Sequence, residues 1–501
     1  MNVKRKIALF LVSCIWLSGC HQEKHDKNKE LTEIALGVIL YNPYQKIVPT
    51  AGSITISSIA SSGYNSRAFN PQCTGVTGNT TFEFFRKQIV PNNTNLVINF
   101  MGGGACWDNA NCFGNTTTTY FNQLNAVPDL FVKFAFRGIM NETAASNPFK
   151  NYDVIFIPYC SGDLHVGHKS NSYVNPLTGG TVAINHYGYD NVLSVLQYIQ
   201  QNYTNVQTVF VTGQSAGGYG AILNYPVVRE TIKGINSGAQ VRMLSDASNG
   251  IVPPTGTPQA FFPNLNSKWG VETAHNLPTW VTGIASDYTS NAANNASIDD
   301  FFKKVATYYS GDRFGQYAAI FDGNQRFFYN VMGQINKVNA GSLTYTDAST
   351  SDPYDVGRTY SSLFGDSDAT SMTDGTSTSS NDFSSCDWSK QAISKMKGVA
   401  TANSSNYRYF LAPGDVHTIT TSDSMFTLGS GGSDFTTWLT NLAMGSIPGN
   451  VECSDNSGSC VSSNLNSNTV DTNLKQATSD QSYASSRSLY TACGGFAGLG
   501  L

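Results

Sequence analysis

A mostly parallel central sheet covered by helices on both faces, with long loops inserted, is the α/β architecture the sequence predicts. Short apolar runs recur along the chain, they are nearly continuous rather than alternating, and segments of helical spacing lie between them. The runs "NLVINFMG" (95–102), "DVIFIPYC" (153–160), "VQTVFVTG" (206–213), "VRML" (241–244), "QYAAIF" (316–321) and "YRYFLA" (407–412) read as parallel strands buried on both faces. In "GYDNVLSVLQYIQQ", Val192, Val195, Leu196 and Ile199 share one helix face. The segment "AGGYGAILNYPVV" follows a strand directly as a second helix, and Ser297 with Asp300 in "SIDDFFKKVATYY" has capping-box spacing, which predicts a helix start.

Two stretches fall outside this alternation. Residues 250–296, rich in Pro, Trp and Asn, are expected to cap the carboxyl edge of the sheet. Residues 340–385, rich in Ser, Thr and Asp, read as a long surface loop. The aspartates of the second lack EF-hand spacing, so calcium is not expected there. No internal repeat is visible, and residues 46–501 are expected to form one domain.

Composition narrows the setting. Only 13% of the 501 residues are charged, 12% are aromatic, and the net charge is −4. Such a chain has no basic field for nucleic acid. Lys4, Arg5 and Lys6 precede the short apolar run "IALFLVSCIWL", and "LSGC" ends at Cys20. This is the pattern of a bacterial lipoprotein signal. Residues 1–20 would be that signal, Cys20 the lipidated first residue of the mature chain, and residues 21–45 a polar tether. The expected location is therefore an outer membrane or cell surface, with the protein a monomer anchored through its lipid. Eight cysteines remain after Cys14 and Cys20: Cys73, Cys106, Cys112, Cys160, Cys386, Cys453, Cys460 and Cys493. An even set in an exported chain reads as disulfides. Cys106 with Cys112 and Cys453 with Cys460 are near enough to close small loops, and spacing leaves the other connectivity open.

The segment "VFVTGQSAGGYGA" carries the strongest chemical signal. Gly213, Gln214, Ser215, Ala216 and Gly217 form G-x-S-x-G between a strand and a helix, where a sharp turn lifts the serine hydroxyl out of the sheet. A serine needs a base, and the base needs an acid to hold one tautomer. In α/β-hydrolases these follow in the order Ser, acid, His. His275 and His417 are the histidines beyond Ser215; His417, just past the last strand, is the expected base, and His275 belongs to the cap. Asp322 directly follows a strand lying between those of Ser215 and His417, and is the expected acid. Asp246 at another strand end and Asp415 beside His417 are the alternatives.

The glycines of "MGGGAC" end an earlier strand, where the fold supplies the other half of an oxyanion hole. The amides of Gly104, Ala105 and Ala216 are therefore assigned to it. No G-x-x-x-x-G-K-[ST] or G-x-G-x-x-G pattern is completed, so neither a nucleotide nor any other cofactor is expected. His165 and His168 in "SGDLHVGH" lack a local third ligand, which favours a structural or substrate-facing loop over a metal.

Taken in order, "GGGACWDNANC", "FIPYCSGDLHVG", "GQSAGG", "LSDAS", Phe321–Asp322 and the late His417 make the chain similar to the pectinacetylesterase family, which includes plant pectin acetylesterases and Notum-type carboxylesterases. The similarity spans roughly residues 73–420. It implies an α/β-hydrolase-like fold, Ser215, Asp322 and His417 as triad, Gly104, Ala105 and Ala216 as oxyanion hole, and disulfides Cys106–Cys112 and Cys73–Cys160. Family members commonly carry an aromatic residue at the position of Ala105, which changes a pocket wall but not an amide. The expected activity is deacetylation of an acetylated polysaccharide such as pectin. Removal of fatty-acyl or other esters from protein or lipid is the alternative, and a non-catalytic glycan-binding surface lipoprotein is a second.

Overall fold

The computed structural model describes residues 43–64, 66–76, 78–112, 120, 132, 137–175, 178–253, 265, 267–271, 275–289, 297–326, 328–329, 332, 385–414, 416–452 and 493–501. Cys20, Asp415, Cys453, Cys460 and residues 340–384 lie outside them. From Tyr44 onward the chain is one compact unit.

Its centre is an eight-stranded sheet: β1 (Tyr44–Ile47), β2 (Phe84–Lys87), β3 (Asn95–Phe100), β4 (Asp153–Ile157), β5 (Thr208–Gln214), β6 (Gln240–Asp246), β7 (Arg313–Ala319) and β8 (Tyr407–Ala412). The spatial order is β1-β2-β4-β3-β5-β6-β7-β8. β2 pairs antiparallel with both β1 and β4, and every other pairing in the sheet is parallel. β1 starts at Tyr44, two residues inside the stretch expected to be tether. Both β1 (YQKI) and β2 (FFRK) are short and carry charge; β1 is the edge strand, and β2 lies between it and β4.

The inner strands are apolar because both faces are covered. Leu96, Val97, Ile98 and Phe100 of β3 and Val209, Phe210 and Val211 of β5 are buried. Helix α1 (Gly188–Asn202) buries Val192, Leu193, Val195, Leu196 and Ile199. Helix α2 (Ala216–Ile235) leaves β5 at once, and α3 (Ile298–Tyr308) is capped by the Ser297 side chain accepting from the Asp300 amide. Helices α4 (Ser385–Ala402) and α5 (Phe435–Ala443) complete the cover.

The order places the site. The chain runs outward from β3 to β4 on one side and from β5 to β6 on the other, so a crevice opens at the carboxyl ends of neighbouring β3 and β5. Phe100 at the end of β3 stands in register with Gly213. The glycine loop and the Ser215 turn therefore emerge side by side.

Among the described residues, three disulfides join Cys73 to Cys160, Cys106 to Cys112 and Cys386 to Cys493. The last ties α4 to the carboxyl-terminal segment across 107 residues of sequence. Cross-links over loops this long typically stabilise by about 2–5 kcal/mol. Cys386→Ser with Cys493→Ser is expected to lower the urea midpoint accordingly, with Ser215 reactivity retained below the transition.

Candidate active site

Ser215 sits between β5 and α2 at φ 56°, ψ −126°. A non-glycine residue in that region costs about 1–3 kcal/mol, so the turn has to be held by its surroundings. The Ser215 amide donates to the Asp246 carbonyl (2.9 Å), and the Ser215 carbonyl accepts from Ser248 Oγ (2.6 Å) and the Gly218 amide (2.9 Å). Close approach fixes the small neighbours: a Cβ on Gly217 would strike the Phe100 carbonyl, and one on Gly102 the Gln214 carbonyl.

His417 and Asp322 meet directly. His417 Nδ1 lies 2.8 and 2.9 Å from the two carboxylate oxygens of Asp322, both side chains being buried. Asp322 also accepts from the Gln325 amide (2.9 Å) and from Gln325 Nε2 (3.0 Å). Gln325 is in turn held by Asn249 through reciprocal bonds of 2.8 and 3.0 Å. With Nδ1 engaged by a carboxylate, the imidazole carries its proton there and leaves Nε2 basic.

Asp246 has a separate place. Its carboxylate accepts from the Ile419 amide (3.0 Å), the Thr420 amide (2.8 Å) and Thr420 Oγ1 (2.6 Å), all on the loop that carries His417. Burial pushes its pKa up to about 6, against the opposing pull of those hydrogen bonds. Gln214 Nε2 braces the same loop at Thr420 Oγ1 (3.0 Å) and reaches Asn99 on β3 (3.0 Å).

Gly104, at φ +78°, and Ala105 form the lip of the glycine loop. Together with Ala216, Ser215 and His417 they line one cavity, which holds about 610 Å³ of empty space counting its open mouth. Much of the remaining lining is apolar and includes Trp107, Leu164, Ile251, Leu265, Trp269, Phe328 and Trp388. Leu265 and Trp269 belong to the stretch expected to cap the sheet. Among the described lining residues, His417 is the one imidazole, and no cysteine or acidic side chain accompanies it.

Several supports were not visible in sequence. Buried Asn111 accepts from the Trp107 and Asp108 amides (3.0 and 2.8 Å) and donates to the Ala105 carbonyl (3.2 Å), so one side chain shapes the glycine loop. Trp269 Nε1 donates to the Cys106 carbonyl (2.8 Å) from the opposite side. The two histidines of "SGDLHVGH" part company. His165 is fully buried with its pKa lowered to about 4 by burial, and its Nε2 lies 2.9 Å from the Met101 carbonyl at the base of the glycine loop. His168 faces Asp190 instead.

Residues 76–252 match the family model described as pectinacetylesterase. The chain is 28% identical over 152 residues to the palmitoleoyl-protein carboxylesterase NOTUM of Homo sapiens, covering 29% of this chain and 28% of that protein. It is 25% identical over 194 residues to the NOTUM of Schmidtea mediterranea, covering 33% and 34%. The matched stretches thus span about a third or less of these relatives. The Drosophila Wnt deacylase Notum superposes with a TM-score of 0.48 at 14% identity, over 81% of this chain and 96% of that one. Over residues 76–252, which include the glycine loop, the Ser215 turn and β6, the chain is thus similar to the pectinacetylesterase and Notum-type proteins.

Proposed function

We propose that the protein is a serine carboxylesterase. One observation carries the reading: Ser215, on a strained turn, and His417, bonded to buried Asp322, line the same cavity beside Gly104, Ala105 and Ala216. Ser215 Oγ attacks the ester carbonyl while His417 Nε2 takes its proton. The tetrahedral oxyanion is held by the amides of Gly104, Ala105 and Ala216, and Asp322 stabilises the imidazolium. His417 then protonates the departing alcohol. Water, deprotonated by the same imidazole, frees the acid from Ser215.

The cavity walls favour an apolar acyl group larger than acetyl, since Trp107, Ile251, Leu265 and Phe328 offer contact area that acetyl cannot fill. Acetyl on a polysaccharide is the second reading, supported by the pectinacetylesterase family match. The three disulfides support folding in an oxidising compartment. Among the described residues no helix is long and apolar enough to cross a membrane. Attachment as a monomer to an outer membrane or cell surface through a lipid on Cys20 completes the proposal.

A fluorophosphonate probe is expected to label the wild type at Ser215 and to leave Ser215→Ala unlabelled. An unlabelled wild type would favour the glycan-binding alternative. Initial rates on p-nitrophenyl esters from acetyl to palmitoyl, alongside acetate release from acetylated pectin and xylan, rank the substrates. Higher kcat/KM for medium or long chains is expected.

Asp322→Asn is expected to lower kcat about 10⁴-fold through loss of the correct tautomer. Asp246→Asn, which shifts the His417 loop without touching the imidazole, is expected to cost up to about 10²-fold with KM little changed. If Asp246→Asn abolished labelling while Asp322→Asn kept it, the acid would be Asp246. Because the folded pKa of Asp246 lies above its unfolded value of about 3.9, its contribution to stability is full below that pH and lost as pH rises through about 6. Denaturant midpoints between pH 4 and 6 should therefore vary less in Asp246→Asn than in wild type.

A further inference from the structure

Away from the catalytic cavity, three side chains from separate parts of the chain converge. His168 ends the loop after β4, Asp190 lies in the first turn of α1, and His275 comes from the 250–296 stretch. His168 Nδ1 is 2.5 Å and His275 Nε2 3.5 Å from the same oxygen of Asp190. One donor atom from each residue can be chosen so that all three lie within 4.8 Å of one another, and the two imidazole rings stack with centroids 3.5 Å apart. None of the three lines the catalytic cavity.

We propose that His168, Asp190 and His275 bind a divalent first-row transition metal of the zinc class, clamping the segment that begins at His275 to the body of the protein. The donor set is the nitrogen and carboxylate oxygen combination such ions take, and two neutral imidazoles with one carboxylate leave a single positive charge on the filled site. Bonds of about 2.0–2.1 Å would set donor separations near 3.3 Å. The site reaches this by drawing the donors inward while the stacked rings fan apart.

Three further observations point to a ligand. His275 Nε2 is buried, and its contact to Asp190, at 3.5 Å, is longer than a good hydrogen bond. The carboxylate is oriented from behind, because its second oxygen accepts from the Asn70 amide (2.6 Å), the outer-sphere support that metal-bound carboxylates require. His168 is 35% exposed, which leaves an open side for the ion to arrive and for water as the fourth ligand.

The surrounding backbone is braced for a clamp. The His168 amide donates to the Trp269 carbonyl (2.8 Å), and Asn276 Nδ2 donates to the Val166 (2.7 Å) and Gly270 (3.1 Å) carbonyls. Trp269 is also the residue that reaches the glycine loop, so metal at this site steadies one wall of the cavity without entering it.

The test uses the full chain, freed of metal with a chelator and titrated with zinc chloride by calorimetry, with cobalt(II) absorption as a second readout. One equivalent per chain is expected, with a cobalt ligand-field spectrum of low coordination number and an increase in thermal midpoint on zinc addition. His275→Gln and His168→Gln should each weaken binding by more than the roughly 10–100-fold that outer-sphere partners carry. Fluorophosphonate labelling of Ser215 verifies that each variant is folded, and Asp190→Asn serves as a further variant should either histidine change prevent folding. Absence of saturable one-to-one binding in the wild type, or equal affinity in the folded His275→Gln variant, overturns the proposal.

Discussion

The geometry of the site rests on a single buried residue that does no chemistry in the proposed reaction. Asp246 takes the Ser215 amide on its main-chain carbonyl and the Ile419 and Thr420 donors on its carboxylate. The Ser215 turn and the His417 loop, some two hundred residues apart in sequence, thus share one anchor at the end of β6. A carboxylate is costly to bury, and three donors within 3.0 Å offset that cost while fixing the loop's position. The strained backbone at Ser215 is tolerated for a related reason: its carbonyl is committed to Ser248 and Gly218, and its amide to Asp246.

From that anchor the remaining parts follow in layers. The parallel sheet supplies adjacent strand ends, glycines at 102 and 217 let the β3 and β5 loops touch, and Gln214 connects β3, β5 and the His417 loop through Asn99 and Thr420. The glycine loop is held from within by Cys106–Cys112 and Asn111, and from outside by Trp269 and His165. Fixed dipoles of this kind stabilise charge without reorganising during reaction.

Much of this was legible in the sequence wherever local pattern and tertiary role coincide. Continuous apolar runs marked the buried strands because both faces are covered. Ser215 was marked by glycines that only a tight turn needs, and His417 and Asp322 by their places after strands. The boundaries slipped where burial and pairing diverge: β7 begins at Arg313, ahead of the apolar run, and Ile320 and Phe321 are buried beyond its end. The short, charged strands β1 and β2 gave no apolar run. Asn111, Trp269 and the meeting of His168, Asp190 and His275 depend on long-range packing, so no local spacing announces them.

Trp269 occupies an unusual mechanical position. Its indole is both wall of the cavity and prop of the Cys106 carbonyl. A substrate too bulky for the cavity gains room by displacing that ring, and in doing so withdraws support from the loop beside the oxyanion. Under the proposed reaction, size discrimination would thereby be expressed in the transition state rather than at binding: an oversized ester would be held, yet turned over slowly.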